Sequence, residues 1–563
     1  MSTLLDRAPD GARSRPGDGL ADLVLTGGVV ATMDASRCTF EAIAVRDGRI
    51  VFVGLARDAR RLVGPATRVV DLRGRMVLPG FQDAHCHPTH GGLAMLQCDL
   101  HELVGTDVLT DVIRSYADAN PGLAWILGGG WYMADFPDGS PAKEILDSIV
   151  PDRPAYLKSR DGHSAWVNSR ALEMAGIDRD TRDPADGRIQ RTTDGEPQGT
   201  LHEGAMALVR RLIPETPPEE MERGLLKGQA YLHSLGITAW QDAIILEEDD
   251  DAYTALAQRG ALTARVAGAR WWDRTAGLEQ LDEILAWRDR GPVGRYRRTS
   301  VKLMLDGVLE NFTGAVLAPY LDATGRPTEN AGIDFIDREV LLEAVPRMDA
   351  EGLQPHFHAI GDRAVRNALD AVEAARRANG RSDTRPHVAH IQVIHPSDLP
   401  RFRQVGLVAN AQPFWACHEP QMDVLTIPFL GSDRADWQYP FASLRRAGAM
   451  LCMGSDWPVT TPDPLEEIEV AVERVAGLFR DDEVPFLPDE RLALDDALAA
   501  FTIGSAYVNH IDDVTGTLEV GKLADIAVLD RDLFAPDGGP IGDARVVLTL
   551  VEGEVVHEDG LEG

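Results

Sequence analysis

The chain's fold follows from one stretch, Met76-Val77-Leu78-Pro79-Gly80-Phe81-Gln82-Asp83-Ala84-His85-Cys86-His87-Pro88, an apolar run that ends in two histidines. Residues i and i+2 of an extended strand point to the same face, so His85 and His87 can both reach one metal ion. Cys86, between them, faces the other way and is expected to be a small buried residue. Pro88 cannot donate to a strand ladder and marks the end of the strand. The alternative is a pair of ordinary hydrogen-bonded histidines, and the H-x-H pattern alone does not decide between the two.

Seven similar apolar runs follow along the middle of the chain, and most are followed by a helical pattern. Continuous apolar runs are typical of parallel strands that are covered on both faces. Eight of them alternating with helices predict an α/β fold, a (β/α)8 TIM-like barrel. The eight runs are residues 76–87, 237–243, 263–271, 301–307, 353–360, 387–394, 407–412 and 450–456.

The segments outside these runs predict the domain organisation. Residues 1–20 are rich in Gly, Pro, Asp and Arg and are expected to be a disordered lead. Short β-type runs at both ends predict one small β-sandwich domain built from residues 21–78 and 512–563. The barrel domain would then span residues 79–511. The stretch between its first and second strands is too long for a loop, so we expect an inserted subdomain at about 97–235.

Composition limits the possible partners. The chain has 563 residues and a formal net charge of −33, which disfavours nucleic acid and anionic membranes as partners. No apolar stretch reaches transmembrane length, and the first residues lack the features of a signal peptide. The five cysteines are odd in number and form no C-x-x-C pair, which argues against a disulfide framework or a zinc ribbon. We therefore expect a cytoplasmic protein that acts on a small molecule.

Polar residues at the ends of the proposed strands suggest where the chemistry lies. In a (β/α)8 barrel, functional residues gather at the C-terminal ends of the strands. Histidine nitrogens and a carboxylate oxygen occur at these strand ends, and together such donors predict a transition-metal site. Asp456 has the alternative of a turn or cap residue, and His356 and His387 are interpreted as structural. The predicted site residues are His85, His87, Lys302, His358, His390 and Asp456.

Lys302 is the hardest of these residues to explain structurally. An ammonium surrounded by Val, Leu and Met costs several kcal/mol unless it is paired or neutralised. One solution is an ion pair with Asp306, although residues four positions apart on a strand lie far from each other. The other is covalent, because a neutral amine takes up carbon dioxide to form a carbamate, an anionic oxygen ligand able to bridge two metals.

Ten segments of the chain form a recognisable set of motifs. They are residues 77–87, 301–307, 358–364, 390–392, 454–458 and 521–529, with 129–131, 146–147, 161–169 and 199–203 in the insertion. These segments resemble the amidohydrolase superfamily of metal-dependent hydrolases. As a set they look like its family 3 branch, which includes the YtcJ-like proteins and the N-substituted formamide deformylases. The resemblance runs from about residue 22 to 557.

The resemblance implies a role for each ligand. His85, His87 and Asp456 would hold one ion of the zinc class, and His358 and His390 a second. A carboxylated Lys302 would bridge the two Zn²⁺ ions, although related hydrolases work with one metal and no carbamate. Asp456 would act as general base and then acid, and barrels of this family often form homodimers.

Other residues are expected to contact the substrate. His163, at the centre of an insertion motif, would bind the substrate or the developing oxyanion, with a structural loop residue as the alternative. Aromatic residues at strand ends and in the insertion suit a bulky or aromatic substrate, unless they simply pack the barrel rim. The residues selected are Trp131, Trp271, Trp415 and Trp457.

These expectations predict an enzyme that hydrolyses an amide-type C–N bond, other than a peptide bond, in an N-substituted amide or formamide-like compound. Metal-activated hydroxide would attack the carbonyl. The same site also allows ester hydrolysis, deamination or isomerisation. A third possibility is a barrel that serves only as an assembly scaffold. Intact ligands at five strand ends argue against the scaffold, which does not need them.

Overall fold

In the computed structural model, residues 19–477 and 484–561 are described. The disordered lead predicted for residues 1–20 lies, apart from its last two residues, outside them. The strands, in chain order, are β1 (Leu23–Ala31), β2 (Thr39–Arg46), β3 (Arg49–Gly54), β4 (Arg68–Asp71), β5 (Met76–Pro79), β6 (Phe81–Cys86), β7 (Cys98–Asp99), β8 (Ile126–Trp131), β9 (Ala155–Ser159), β10 (Ser164–Val167), β11 (Gly187–Arg191), β12 (Pro197–Glu203), β13 (Ile237–Ile245), β14 (Arg265–Trp271), β15 (Tyr296–Met304), β16 (Gln354–Ala359), β17 (His387–His390), β18 (Val408–Ala411), β19 (Leu451–Met453), β20 (Ile526–Leu529), β21 (Val546–Val551) and β22 (Glu554–Glu558).

Helices follow most strands of the middle of the chain. In the described residues, every helix is too short or too polar to cross a lipid bilayer. The helices are α1 (Ala56–Ala59), α2 (Pro88–Ala94), α3 (Thr106–Ala119), α4 (Lys143–Ile149), α5 (Ser169–Ala175), α6 (Ala207–Arg210), α7 (Pro218–Ser234), α8 (Glu247–Gln258), α9 (Gln280–Arg288), α10 (Arg338–Ala350), α11 (Asp362–Asn379), α12 (Leu399–Val405), α13 (Ile427–Leu430), α14 (Ser432–Ala435), α15 (Phe441–Arg446), α16 (Pro464–Glu473), α17 (Leu494–Ala499) and α18 (Ser505–Val508).

The barrel predicted from the apolar runs is confirmed. Eight parallel strands pair in the order β6-β13-β14-β15-β16-β17-β18-β19, and each predicted run overlaps one of them. The backbone N–H of Asp456, just after β19, donates to the carbonyl of His85 in β6 at 2.7 Å. The first and last strands therefore meet at their C-terminal ends, and the barrel is nearly closed.

The first predicted run is not one strand but two. Its first half, β5, pairs with β1 and β20 in a different sheet, and its second half, β6, pairs with β13 in the barrel. The change occurs at Gly80. Its N–H donates to the backbone carbonyl of Asp525 at 2.9 Å, whereas the N–H of Phe81 donates to the backbone carbonyl of Gly236 at 2.9 Å. A Cβ at Gly80 would lie 2.4 Å from the Thr238 side chain, so the backbone crosses between the sheets where no side chain fits.

The two ends of the chain share one sheet. Its strands pair in the order β22-β21-β20-β5-β1-β2-β3, and β4 pairs with β1. Side chains of β1, β2, β20 and β21 pack into a common apolar core. The two-layered sandwich and the domain boundaries expected from the sequence stay predictions.

A separate six-stranded sheet forms within the stretch for which we predicted an insertion. Its strands pair in the order β11-β12-β10-β9-β8-β7, between residues 98 and 203. Its core packs Trp131, Leu157 and Trp166 against α3 and α4. The long helix α7, which follows this sheet, packs instead on α2 and on the barrel strand β13. Because α2 begins directly after His87, α7 lies next to the C-terminal end of β6.

The contact between α2 and α7 yields a test of the fold. Gly92→Ala is expected to lower the free energy of unfolding by about 2 kcal/mol, because the added Cβ would lie 1.8 Å from the Gly224 carbonyl oxygen and push α2 off α7. Gly122→Ala is the control, since a Cβ there meets nothing within 4 Å. Urea unfolding followed by circular dichroism measures both. Equal stability of the two variants would contradict this packing.

Candidate metal centre

Three side chains converge at the C-terminal mouth of the barrel. The Nε2 atoms of His85 and His87 each lie 3.0 Å from Oδ1 of Asp456. One potential ligand atom from each residue lies within 4.8 Å of the other two. All three side chains are buried, with side-chain exposures of 1%, 11% and 7%. The arrangement brings two nitrogen donors and one oxygen donor to one point.

Local backbone structure explains why these three side chains meet. His85 and His87 stand two residues apart, at and just after the end of β6, so both side chains point to the barrel interior. The N–H of His87 donates to the carbonyl of Trp457 at 2.8 Å, and the N–H of Asp456 donates to the carbonyl of His85 at 2.7 Å. Asp456 has a φ of 59°, a strained conformation for a non-glycine residue, of the kind that clusters at functional sites.

Asp83 holds this backbone together, and our sequence reasoning missed it. Its carboxylate accepts hydrogen bonds from the N–H of His85 at 2.9 Å and from the hydroxyl of Ser455 at 2.6 Å. It also accepts the N–H of Ser455, at 3.1 Å to Oδ2. The side chain is fully buried. The available signal was an acidic residue inside an apolar run, which must find donors when it is buried.

Lys302 lies against His85, one of the three converging side chains. Its Nζ is 3.2 Å from Nε2 of His85, and the residue is 3% exposed. Burial lowers the pKa of Lys302 to about 7, against a smaller opposing effect of Asp456. Asp306, the alternative partner, instead accepts backbone N–H groups of Ala315 and Gly361 at 2.8 and 2.9 Å. The lysine is therefore near its midpoint of protonation at neutral pH.

His358 and His390 complete the cluster. Their ring centroids are 4.5 Å apart, and the His390 ring is 4.8 Å from that of His85. His390 has a φ of 76° and its N–H donates to Oε1 of Gln412 at 2.6 Å. Trp415 stacks on the His390 ring at 5.3 Å. The structure therefore brings together all six side chains that the strand ends predicted as ligands.

The protonation states suit metal ligands. Burial lowers the pKa of His85 to about 3, and it also lowers the pKa values of His87, His358 and His390. Burial alone would raise the pKa of Asp456, but its contacts with His85 and His87 hold that pKa well below its ordinary value. At neutral pH the imidazoles are neutral and the carboxylate is ionised, which are the forms that bind cations.

The residues fit a metal of the zinc class. His87 and His390 each keep a buried ring nitrogen, Nδ1, without a hydrogen-bond partner, whereas Nδ1 of His358 lies 3.2 Å from Oδ1 of Asp306. Such orphaned nitrogens are rare in folded proteins and call for an explanation, for example an ion. Neutral imidazoles with a carboxylate are the donors that zinc-class ions prefer. His85, His87 and Asp456 would hold such an ion.

A layer of polar side chains supports His85 from inside the barrel. Its Nδ1 lies 2.6 Å from Nε2 of His356, whose ring is 3.9 Å from that of His387. Nε2 of His387 in turn lies 2.9 Å from Oε1 of Gln241. All these side chains are fully buried. They fix the orientation of the His85 ring, as the hydrogen-bond partners of metal-binding histidines do.

His163 approaches the centre from the insertion, as a charged residue. Its ring is 5.7 Å from that of His358, and its Nδ1 is 2.9 Å from Oε1 of Glu203. Burial alone would lower the pKa of His163, but the Glu203 carboxylate raises it to about 9. Glu203 also accepts a hydrogen bond from the hydroxyl of Thr313 at 2.9 Å. Sequence reasoning assigned no role to Glu203, although it ends an insertion motif.

The four selected tryptophans have different surroundings. Trp415 lies on His390, and Trp271 is half-buried at the end of β14. Trp131 is fully buried in the core of the insertion, where its Nε1 donates to Leu157 at 2.8 Å. Trp457 packs against Gly91 and Tyr231 on α2 and α7. The side chains of Trp131 and Trp457 thus pack against other parts of the protein, and their contact with a substrate stays a prediction.

A cavity opens beside the centre. About 50 Å³ of it is accessible to the centre of a water molecule, within about 570 Å³ of space that includes open solvent, and Trp415 forms part of its wall. The other walls come from the insertion through Tyr132 and Asp161, and from the loop after β15 through Glu310. Because Trp415 also stacks on His390, the cavity lies near one of the candidate metal ligands.

Comparison with known proteins agrees with this geometry. Residues 68–557 match the model of the Amidohydrolase family. Protein LONG AFTER FAR-RED 3 of Arabidopsis thaliana is 32% identical over 558 residues, covering 96% of this chain and 92% of that protein. The N-substituted formamide deformylase of Arthrobacter pascens is 27% identical over 555 residues, covering 96% and 99%. A solved structure, an uncharacterized metal-dependent hydrolase from Pyrococcus furiosus, shares 25% identity with a TM-score of 0.69, covering 91% and 99%.

The His163–Glu203 pair predicts a pH-dependent stability. The folded-state pKa of His163, about 9, exceeds the ordinary value of 6.5, so protonation favours the folded state. This contribution is complete below about pH 6.5 and is lost as the pH rises through about 9. His163→Gln should therefore cost about 2 kcal/mol of unfolding free energy at pH 6 and much less at pH 10.

Urea unfolding of metal-free protein at the two pH values measures this difference. His557→Gln, on β22 far along the chain from the site, is the matched control. A cost of His163→Gln that is the same at both pH values would show that the residue is not a buried imidazolium.

Proposed function

The chain belongs to the amidohydrolase family, and we propose that it is a metal-dependent hydrolase of amide-type C–N bonds in N-substituted, formamide-like compounds. The observation that carries the proposal is the cluster at the barrel mouth. There the potential ligand atoms of His85, His87 and Asp456 lie within 4.8 Å of one another, close enough to bind one ion. The deformylase activity named for the Arthrobacter pascens relative supports the choice of bond. In the proposed reaction, the bond that lies at the metal centre is the acyl C–N bond of the substrate.

We assign the ligands to two positions. His85, His87 and Asp456 would hold one zinc-class ion, and His358 and His390 a second. The pKa of Lys302, about 7, supports a bridging carbamate, because a neutral amine is the form that adds carbon dioxide and releases a proton. When bound, such ions activate water at neutral pH and polarise a carbonyl group.

Asp456 is proposed to move the proton. Its carboxylate is ionised and lies at the centre of the cluster, 3.0 Å from both His85 and His87. It can therefore accept a proton from the attacking water and return it to the leaving nitrogen. His163, held as an imidazolium by Glu203, would donate a hydrogen bond to the developing oxyanion. Trp415 and Trp271 would contact the N-substituent.

The remaining assignments concern the protein as a whole. We propose that it works in the cytoplasm on a small molecule, without nucleic acid or membrane as partner, and as a homodimer. Ester hydrolysis, deamination and isomerisation use the same donors, so a substrate panel has to separate them from amide hydrolysis.

Metal content tests the ligand assignment. Protein purified with zinc is expected to hold two ions per chain by plasma mass spectrometry. Lys302→Ala should lower this to about one and reduce kcat/KM by at least about 100-fold, since the bridging ligand is lost. Lys227→Ala, which removes an exposed lysine on α7, should retain both ions. Two ions in Lys302→Ala would contradict the bridge, and a protein that binds no metal would support the scaffold alternative.

A substrate panel tests the bond. N-benzylformamide and N-aryl amides are expected to be hydrolysed with kcat/KM at least about tenfold above that of polar cyclic imides, because aromatic side chains line the approach. The panel includes matched esters and amino-heterocycles, which report ester hydrolysis and deamination. Rapid cleavage of cyclic imides with N-aryl amides left intact would overturn the assignment.

A further inference from the structure

Two residues with left-handed backbone follow each other at the end of β17. His390 has a φ of 76° and Ile391 has a φ of 44°. A side chain on Cβ disfavours this conformation, and a β-branched one such as that of Ile391 disfavours it most. Such strain persists only where the surrounding structure holds the backbone, and it clusters at functional sites. The groups that hold this turn therefore decide where the His390 ring points.

Gln412, just after β18, holds the turn on one side. Its Oε1 accepts the N–H of His390 at 2.6 Å, and its side chain is fully buried. On the other side the N–H of Ile391 donates to the carbonyl of Ala359, the residue after His358, at 3.0 Å. Loss of the Gln412 acceptor would remove a short hydrogen bond from a strained turn and let the turn relax.

The Gln412 amide has a fixed orientation. Its Nε2 donates to Oδ1 of Asn410 at 3.0 Å. Nδ2 of Asn410 donates in turn to the carbonyl of Ala84 at 3.0 Å and to Nδ1 of His387 at 3.1 Å. Because a carbonyl only accepts, Asn410 must present Nδ2 to Ala84 and Oδ1 to Gln412. Gln412 then presents Oε1 to the N–H of His390.

The segment that carries Gln412 also holds the His390 ring. Trp415 stacks on that ring at 5.3 Å, with an interplanar angle of 22°. The N–H of Phe414 donates to Oε2 of Glu467 at 2.7 Å, which anchors the segment to α16. One segment, residues 410–415, therefore fixes both the backbone and the ring of His390.

The first proposed ion position is held by other contacts. The N–H of Asp456 donates to the carbonyl of His85 at 2.7 Å, and the N–H of His87 donates to the carbonyl of Trp457 at 2.8 Å. Gln412 takes part in neither contact. Loss of its acceptor should therefore act on the position of His358 and His390 alone.

We infer that Gln412 is a positioning residue for the second ion. By accepting the N–H of His390 it holds the His390 ring beside that of His358, and it thereby controls the affinity of that ion without affecting the first. This inference rests on the ligand assignment of the proposed function. It adds a residue that ligates no ion and yet distinguishes the two positions.

The test titrates zinc into the metal-free protein and resolves two dissociation constants by calorimetry. In Gln412→Met, which nearly keeps the shape of the side chain but lacks its acceptor, the second ion should bind about 10- to 100-fold more weakly. The first ion should bind as in the wild type. A second ion of wild-type affinity, or equal weakening of both ions, would overturn the inference.

Gln412→Glu shows whether the acceptor is the cause. Buried against Oδ1 of Asn410, the new carboxyl group is expected to be protonated, so that it accepts from His390 and donates to Asn410 as the amide does. The affinity for the second ion should therefore return to the wild-type value, which a general packing defect at this position would not allow. An affinity as low as in Gln412→Met would contradict the role of the acceptor.

Gln229→Met is the matched control. Gln229 on α7 is also buried, and its Oε1 accepts the N–H of Thr263 at 2.9 Å, just before β14 and thus at the opposite end of the barrel. Both dissociation constants should stay unchanged in this variant. Circular dichroism checks that each variant folds. If Gln412→Met does not fold, Gln412→Asn replaces it, because its shorter side chain withdraws the acceptor and should weaken the second ion in the same way.

Metal binding separates this inference from the proposed hydrolysis, because the titrations need no substrate. A wild-type protein that binds two ions but cleaves no amide would refute the amide-hydrolase proposal, and the Gln412 variants would still decide the inference. A wild-type protein that binds one ion would overturn the inference whatever it hydrolyses.

Discussion

The carboxylate of Asp83 joins the first strand of the barrel to the loop after the last, and the geometry of the candidate metal centre depends on that contact. It accepts hydrogen bonds from the N–H of His85 and the hydroxyl of Ser455, at 2.9 and 2.6 Å. Without such donors a fully buried carboxylate would cost several kcal/mol. Because His85 is one of these donors and Asp456 directly follows the other, closing the barrel also brings the proposed ligands together.

Burial divides the histidines of the site into two kinds. Burial outweighs the carboxylate contacts of four histidines, so their pKa values fall and their rings are neutral. These are His85, His87, His358 and His390. His163, whose ring is 5.7 Å from that of His358, has Glu203 beside it, and its pKa rises to about 9. The same mouth of the barrel therefore presents lone pairs at its centre and a proton donor at its edge, which is the division of roles that metal-assisted hydrolysis needs.

Much of this arrangement could be predicted from the sequence, because strand ends of a parallel barrel meet at one edge. The break at Gly80 could not, since both halves of the run are apolar and buried and only their hydrogen-bond partners change. The surroundings of Trp131 and Trp457 depend on side-chain direction, which position along a strand does not reveal. The role of Asp83 required knowing that strands more than 360 residues apart in the chain are neighbours.

X-ray absorption at the zinc edge of the loaded protein tests the central claim most directly, since it reports which atoms surround the ion. The ligands assigned here predict nitrogen and oxygen at about 2.0–2.1 Å, with a second zinc about 3.5–4 Å away. Zinc–sulfur scattering at about 2.3 Å would contradict the account. It would place a cysteine such as Cys86, which is buried between the two histidines, among the ligands instead.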